Sequence, residues 1–162
     1  MQKTVCFTTL GCKVNQYDSQ AMLEQFEQHG YTVAPAGVPA DVYVVNTCTV
    51  TGTGDKKSLQ AIRRCRRRNP GAELVVTGCL AQRETGARLI LGTQYRARVV
   101  ELLEQAVREG VQMVAVEGVS NAPYEPLTIH SHEGHTRAVM KIQEGCDNRC
   151  TYCIIPSVRG GV

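Results

Sequence analysis

Near one end of the sequence, "EGCDNRCTYCIIP" places Cys146, Cys150 and Cys153 in a C-x3-C-x2-C pattern. Three thiols on one short loop form a soft donor set for a transition metal. Structural zinc takes four ligands, so a zinc reading needs a fourth donor, and His130, His132 and His135 are the candidates nearby. Those histidines also read as side chains of a solvated linker. An iron–sulfur cluster normally takes four thiolates, so three leave one iron with an open coordination position. An open position is what distinguishes a catalytic metal site from a closed structural one.

A second set of thiols is dispersed. In "FTTLGC", "VVNTC" and "VVTGC", Cys12, Cys48 and Cys79 each directly follow an apolar stretch that reads as a strand. The intervals between them are about those of one βαβ unit, roughly 30 residues or a little more. In a parallel sheet all the strand C-termini share one edge, and open α/β sheets bind ligands there. A single cysteine in such a place is most simply a buried structural thiol. Three at equivalent positions point to a shared site. Cys6, inside a strand, and Cys65, inside an arginine-rich helix, read as structural.

The elements that must position these thiols follow from hydrophobic periodicity and its breaks. Strands are expected at Val5–Leu10, 31–35, 41–48, 73–79, 87–92 and 111–116. Helices are expected over 19–29, stopped by Gly30, over Lys56–Arg68, stopped at "NPG", and over 95–110, stopped by Gly110. The alternation predicts an α/β fold, a parallel sheet flanked by helices. Residues 1–116 form this domain. Residues 117–135, rich in Pro, Gly, Ser, Asn and His, read as a linker. Residues 136–162 begin with an expected strand, "TRAVMKIQEGC", that runs into the three-cysteine loop.

With 162 residues, eight cysteines, no Trp and a formal charge of +3, the chain is long enough for a real core and too weakly basic to name a nucleic-acid partner by charge alone. It has no run of about 20 apolar residues and no signal-peptide pattern, so a cytoplasmic protein without a membrane span is expected. There the thiols stay reduced and read as ligands before disulfides.

C-x3-C-x2-C resembles the signature of radical S-adenosylmethionine enzymes, in which the open iron of a 4Fe-4S cluster chelates S-adenosyl-L-methionine and an electron from the cluster splits it to a 5′-deoxyadenosyl radical. Together "TLGCKVNQYDS", "VVNTCTVT", "VVTGCLAQ" and "KIQEGCDNRCTYCIIP" resemble the methylthiotransferases of that superfamily, across essentially the whole chain. The resemblance implies two 4Fe-4S clusters, one on Cys146, Cys150 and Cys153 that binds S-adenosylmethionine, and one on Cys12, Cys48 and Cys79 implicated in sulfur supply. "GCKVNQYDS" and "NTCTVT" are most similar to the branch that adds a methylthio group to C2 of N6-threonylcarbamoyladenosine, next to the anticodon of tRNA. The implied partners are tRNA and an electron donor such as flavodoxin or ferredoxin. The alternative is a zinc-stabilised RNA-binding module without catalysis.

The family's catalytic domain is a partial barrel followed by an RNA-binding β domain, so residues 136–162 would supply only a truncated start of that barrel. The chain alone is therefore expected not to catalyse methylthiolation. Relatives also carry a longer helical stretch after "GCLAQRE", which predicts a shortened helix here. The run Arg63, Arg64, Arg66, Arg67 and Arg68 fits either a phosphate-facing patch for tRNA or a solvated helix face. "GTGDKKS" lacks the Gly that a phosphate loop needs before Lys-Ser and reads as a connecting loop. Asn15 and Asn46 stand beside the presumed cluster edge, in either a ligand-orienting or a turn role.

Overall fold

The computed structural model describes residues 2–35, 37–49, 52–79, 86–119, 124–131 and 138–161. Six strands form one sheet: β1 (Thr4–Thr9), β2 (Thr32–Val33), β3 (Val42–Thr47), β4 (Glu73–Gly78), β5 (Leu89–Leu91) and β6 (Met113–Ala115). Their spatial order is β2-β1-β3-β4-β5-β6, and every pairing is parallel. The helices are α1 (Lys13–Gln28), α2 (Gly52–Arg68), a 3-10 turn at Arg96–Arg98 leading into α3 (Val99–Glu109), and a short α4 (Ile155–Arg159). The α/β class and the parallel sheet match the expectation from alternation.

"VYVVNT" of β3 is buried at every residue, as a central parallel strand covered on both faces must be. Val42, Val44, Val75 and Leu89 point to one face, where Met22 and Phe26 of α1 and Val99, Val100 and Leu103 of α3 cover them. Tyr43, Val45, Leu74, Val76 and Ile90 point to the other, against Ile62 and Cys65 of α2. Gly110 closes α3 in the left-handed conformation, φ 67°, which costs a glycine least.

Several elements differ from the sequence reading. Helix α1 begins at Lys13, six residues before the apolar periodicity starts, because its first turns bury polar residues: Asn15, Asp18 and Ser19. Helix α2 begins at Gly52, so "GTGDKKS" is helix and not a connecting loop, with Asp55 in the first turn where the helix dipole favours a carboxylate. Residues 138–143 form no ladder with the sheet among the described residues. An extended segment becomes a strand only when a neighbour offers ladder partners. Residues 80–85, where the shortened helix is expected, lie outside the described residues, as do 136 and 137 of the expected strand.

The described part of the 117–135 stretch lies along α1 and the 3-10 turn. Tyr17 Oη donates to Leu127 O at 2.9 Å, and the Glu24 carboxylate accepts from the backbone N–H of His130 and of Ser131 at 2.9 and 3.0 Å. Among the described residues no helix is long and apolar enough to cross a membrane.

Candidate iron–sulfur site at the sheet edge

Strands β1, β3 and β4 are consecutive neighbours in the sheet. Cys12 caps the N-terminus of α1 just past β1, Cys48 directly follows β3, and Cys79 directly follows β4. The chain leaves β1 toward β2 on one side and β3 on the other, so the gap between β1 and β3 is a topological switch point, where open α/β sheets form their ligand crevice. Cys12 and Cys48 flank it. Cys12 is exposed, while Cys48 and Cys79 are buried. Burial pushes the Cys79 thiol up, Arg159 counters by charge and by a side-chain hydrogen bond, and Cys48 and Cys12 raise it further.

The loops that carry them are tied down by buried polar side chains. Asn15, 1 % exposed, donates through Nδ2 to Leu10 O at 2.6 Å and to Thr47 O at 2.9 Å, so one amide joins the Cys12 loop to the residue before Cys48. Asn46 Nδ2 donates to Asn15 O and to Ser19 Oγ. Ser58 of α2 accepts from Cys48 N–H and donates to Cys48 O, each at 3.2 Å. Cys79 N–H donates to Thr47 O at 3.3 Å. Asn15 and Asn46 therefore act as clamps on the cysteine loops.

The donor set suits an iron–sulfur group. A methyl on Gly11 would stand 2.8 Å from Cys48 Sγ, so the missing side chain leaves the space that this sulfur occupies. Among the described residues no three His, Cys, Asp or Glu groups are gathered tightly enough to hold a single metal ion. A cluster does not need that arrangement, because each thiolate bonds a separate iron.

In the second triad, Cys150 is exposed and Cys146 and Cys153 are half-buried. Cys153 N–H donates to Cys150 O, and Cys146 N–H to Gly160 O, each at 3.0 Å, so α4 folds back under the loop. A cleft of about 440 Å³ lies elsewhere, between α2 and β4, but one of about 330 Å³ lies between the start of α1 and the segments on either side of this loop, lined by Cys12, Val14, Tyr17, Ile142, Ile155 and Arg159. His130 Nδ1 faces the Glu24 carboxylate at 2.9 Å, and His132 and His135 lie outside the described residues. Cys6 and Cys65 face each other in the core under α2, and burial pushes both thiols up. Arg63, Arg64, Arg66, Arg67 and Arg68 are all exposed on α2.

Sequence reasoning missed the largest polar feature. Arg96, Lys141 and Arg159 each contact both Asp18 and Glu144, and Arg96 also holds Glu125. These six side chains are between 1 and 11 % exposed. Asp18 comes from α1, Arg96 from the 3-10 turn, Glu125 from the 117–135 stretch, and the rest from 141–159. Three cations meet three carboxylates, so a buried network balances its own charge. Burial alone would raise the Glu144 carboxyl, but Arg96, Arg159 and Lys141 outweigh it and hold it below its ordinary value. One signal was available: Lys141 sits between apolar residues in "AVMKIQ", and a lysine is almost never fully buried unless it is paired.

Comparison with known proteins follows the same lines. Residues 4–101 match the family described as "Uncharacterized protein family UPF0004". The chain is 46 % identical over 165 residues to the threonylcarbamoyladenosine tRNA methylthiotransferase MtaB of Bacillus subtilis, covering 97 % of this chain and 37 % of that protein. Proteins of the same name from Aquifex aeolicus and Thermotoga maritima are 39 % and 40 % identical, each over 98 % of this chain. The chain spans 37 to 40 % of the length of these relatives.

Proposed function

The chain belongs to the UPF0004 family, and we propose on that premise that it provides the iron–sulfur portion of a tRNA methylthiotransferase, acting at C2 of N6-threonylcarbamoyladenosine beside the anticodon. The observation that carries the reading is the meeting of Cys12, Cys48 and Cys79 at the ends of three adjacent parallel strands. In this reading those thiolates hold one 4Fe-4S cluster, and Cys146, Cys150 and Cys153 hold a second. Cys146, Cys150 and Cys153 would hold that second group, which when bound would supply the electron for reductive cleavage of S-adenosylmethionine.

The chain's own residues prepare the sites. Asn15 and Ser58 hold the Cys12 and Cys48 loops, so binding does not have to order them. The charge network holds residues 141–159 against α1, and the cleft of about 330 Å³ runs from Cys12 to the residues on either side of the second loop. The exposed arginines of α2 support an RNA partner, since guanidinium groups pair with phosphates. A flavodoxin- or ferredoxin-like protein is the electron donor in this reading, and the cytoplasm is the compartment.

The test is anaerobic reconstitution with iron and sulfide, followed by metal analysis. About eight irons per chain are expected, from two four-iron clusters, falling to about four when Cys12, Cys48 and Cys79 are replaced together by Ala. One zinc per chain with no iron would overturn the reading in favour of a zinc-stabilised RNA-binding module.

A further inference from the structure

Charge is distributed unevenly along this chain. Seven of the 17 residues of α2 are Lys or Arg and one is Asp, whereas the whole chain carries a formal charge of +3, so everything outside α2 is net acidic. The cations are also segregated around the helix. At about 100° per residue, Lys56, Lys57, Gln60, Arg63, Arg64 and Arg67 share an arc of about 120°. All six are exposed, and Asp55 lies outside the arc. Ser58, Ile62 and Cys65 occupy the opposite, buried side. Among the described residues, none of the five cations on the arc pairs with a carboxylate. Like charges three and four residues apart, as at Arg64–Arg67 and Arg63–Arg67, repel and weaken a helix. A face kept only for solvation gains from alternating signs, as where Arg98 pairs with Glu101 at the start of α3. The exposed face of α2 suits an anionic partner instead.

We propose that this ridge of α2 docks the sugar-phosphate backbone of a double-helical RNA segment, the base-paired stem adjoining the substrate adenosine. The inference rests on the reading of the chain as part of a tRNA-modifying enzyme. The side chains favour a duplex over a single strand. No aromatic residue lies on α2, while proteins that bind unpaired RNA stack its bases on aromatic rings. A duplex keeps its bases in the stack and displays phosphates, which guanidinium and ammonium groups bind without reading sequence. The place of the ridge favours the stem next to the reacting nucleotide. Ser58 bonds both the N–H and the O of Cys48 at 3.2 Å, and Arg63 to Arg67 stand about 8–14 Å further along the helix axis. The ridge is thus fixed a short way from the end of β3. A stem held on it brings a nucleotide near the stem's end to the cysteine edge.

The test uses the full chain and fluorescence anisotropy at several salt concentrations. The probes are a short blunt-ended RNA duplex without modified nucleotides, one of its strands alone, and polyglutamate. Arg63→Gln, Arg64→Gln and Arg67→Gln together should weaken duplex binding about tenfold or more and make the slope of log affinity against log salt shallower by about three. Replacing the same three by Lys should restore most of the affinity, since the charge is kept. Lys3→Gln, Arg98→Gln and Arg108→Gln remove three exposed cations away from α2 and should change it by less than about threefold. In hydroxyl-radical footprinting on tRNA, the α2 variant should lose protection in the stem adjoining the substrate adenosine and nowhere else. Equal weakening by both Gln variants would reduce the ridge to net charge and overturn the inference. Tighter binding of the single strand or of polyglutamate than of the duplex would overturn it too. Unchanged duplex binding in the α2 variant, with tRNA still bound, would overturn it and leave the proposed function standing. A chain that loads iron at its cysteines but binds no RNA loses tRNA as its partner, and this inference with it.

Discussion

Gly11 shows how tightly single residues confine the site. Its φ is +97°, and a methyl group there would approach both Cβ and Sγ of Cys48 to 2.8 Å. Gly11→Ala should therefore cost about 1–3 kcal/mol in urea unfolding, from backbone strain, and should lower iron retention by displacing Cys48. Asn15→Ala should cost a similar ~1–3 kcal/mol, because it removes the donor that two loop carbonyls share. Cys65→Ala should leave the iron count unchanged while lowering the unfolding midpoint, since that thiol lies in the core beneath α2. The thiol positions were legible in the sequence because a cysteine after an apolar stretch is a simple spatial statement in a parallel sheet. Asn15 and Asn46 were legible as neighbours of that edge, though not their bonds; Ser58 was not, since it is polar and a hydrophobic pattern places polar residues outside.

At the scale of elements, the same property hid the start of α1. Its first turns face the loops through hydrogen bonds and only its later turns face the core through Met22 and Phe26, so the apolar periodicity marks half the helix. In residues 138–143 the polarity is reversed: Met140 and Ile142 are 80 and 83 % exposed while Lys141 is buried. A pattern reader places the apolar residues inward, but here two buried carboxylates determine which side faces in. Helix α2 separates its two roles along its length, with Ser58 at Cys48 near its start and the arginines on its later turns. Replacing Arg63, Arg64 and Arg67 by Gln should change stability by no more than about 0.5 kcal/mol and leave the iron count unchanged. In a filter-binding titration it should weaken tRNA affinity. The slope of log affinity against log salt should also become shallower, by roughly one for each phosphate that no longer pairs with a guanidinium.

For the whole molecule, the decisive feature is that charge joins α1, which follows Cys12, to residues 141–159, which carry Cys146, Cys150 and Cys153. Removing one member of a buried pair strands the others, so Asp18→Asn should cost about 3–5 kcal/mol and free residues 141–159 to exchange their amide hydrogens. The pH dependence follows from Glu144. Its carboxyl lies below the ordinary value in the folded chain, so the unfolded chain binds more protons in that window and stability rises with pH. The docking contribution is complete above about pH 4.3, the ordinary glutamate value, and is lost as pH falls through the lower folded value. The amide resonance of Cys146, bonded to Gly160 O, should report that loss. The sheet was legible because alternation and valine-rich strands repeat locally. The network was not, because it is assembled from four separated regions and no local window contains it.

That assembly has a consequence in time. Lys141 lies 123 residues after Asp18, so at about 5–20 residues per second a ribosome delivers it roughly 6–25 s later. Until then only Arg96 can balance Asp18, and the segment that brings Arg159 to Asn15 does not exist. A newly made chain thus passes through a stage in which β1, β3 and β4 can pair before residues 141–159 dock on α1. Under the proposed reading, that stage is when iron would have its easiest access to the edge.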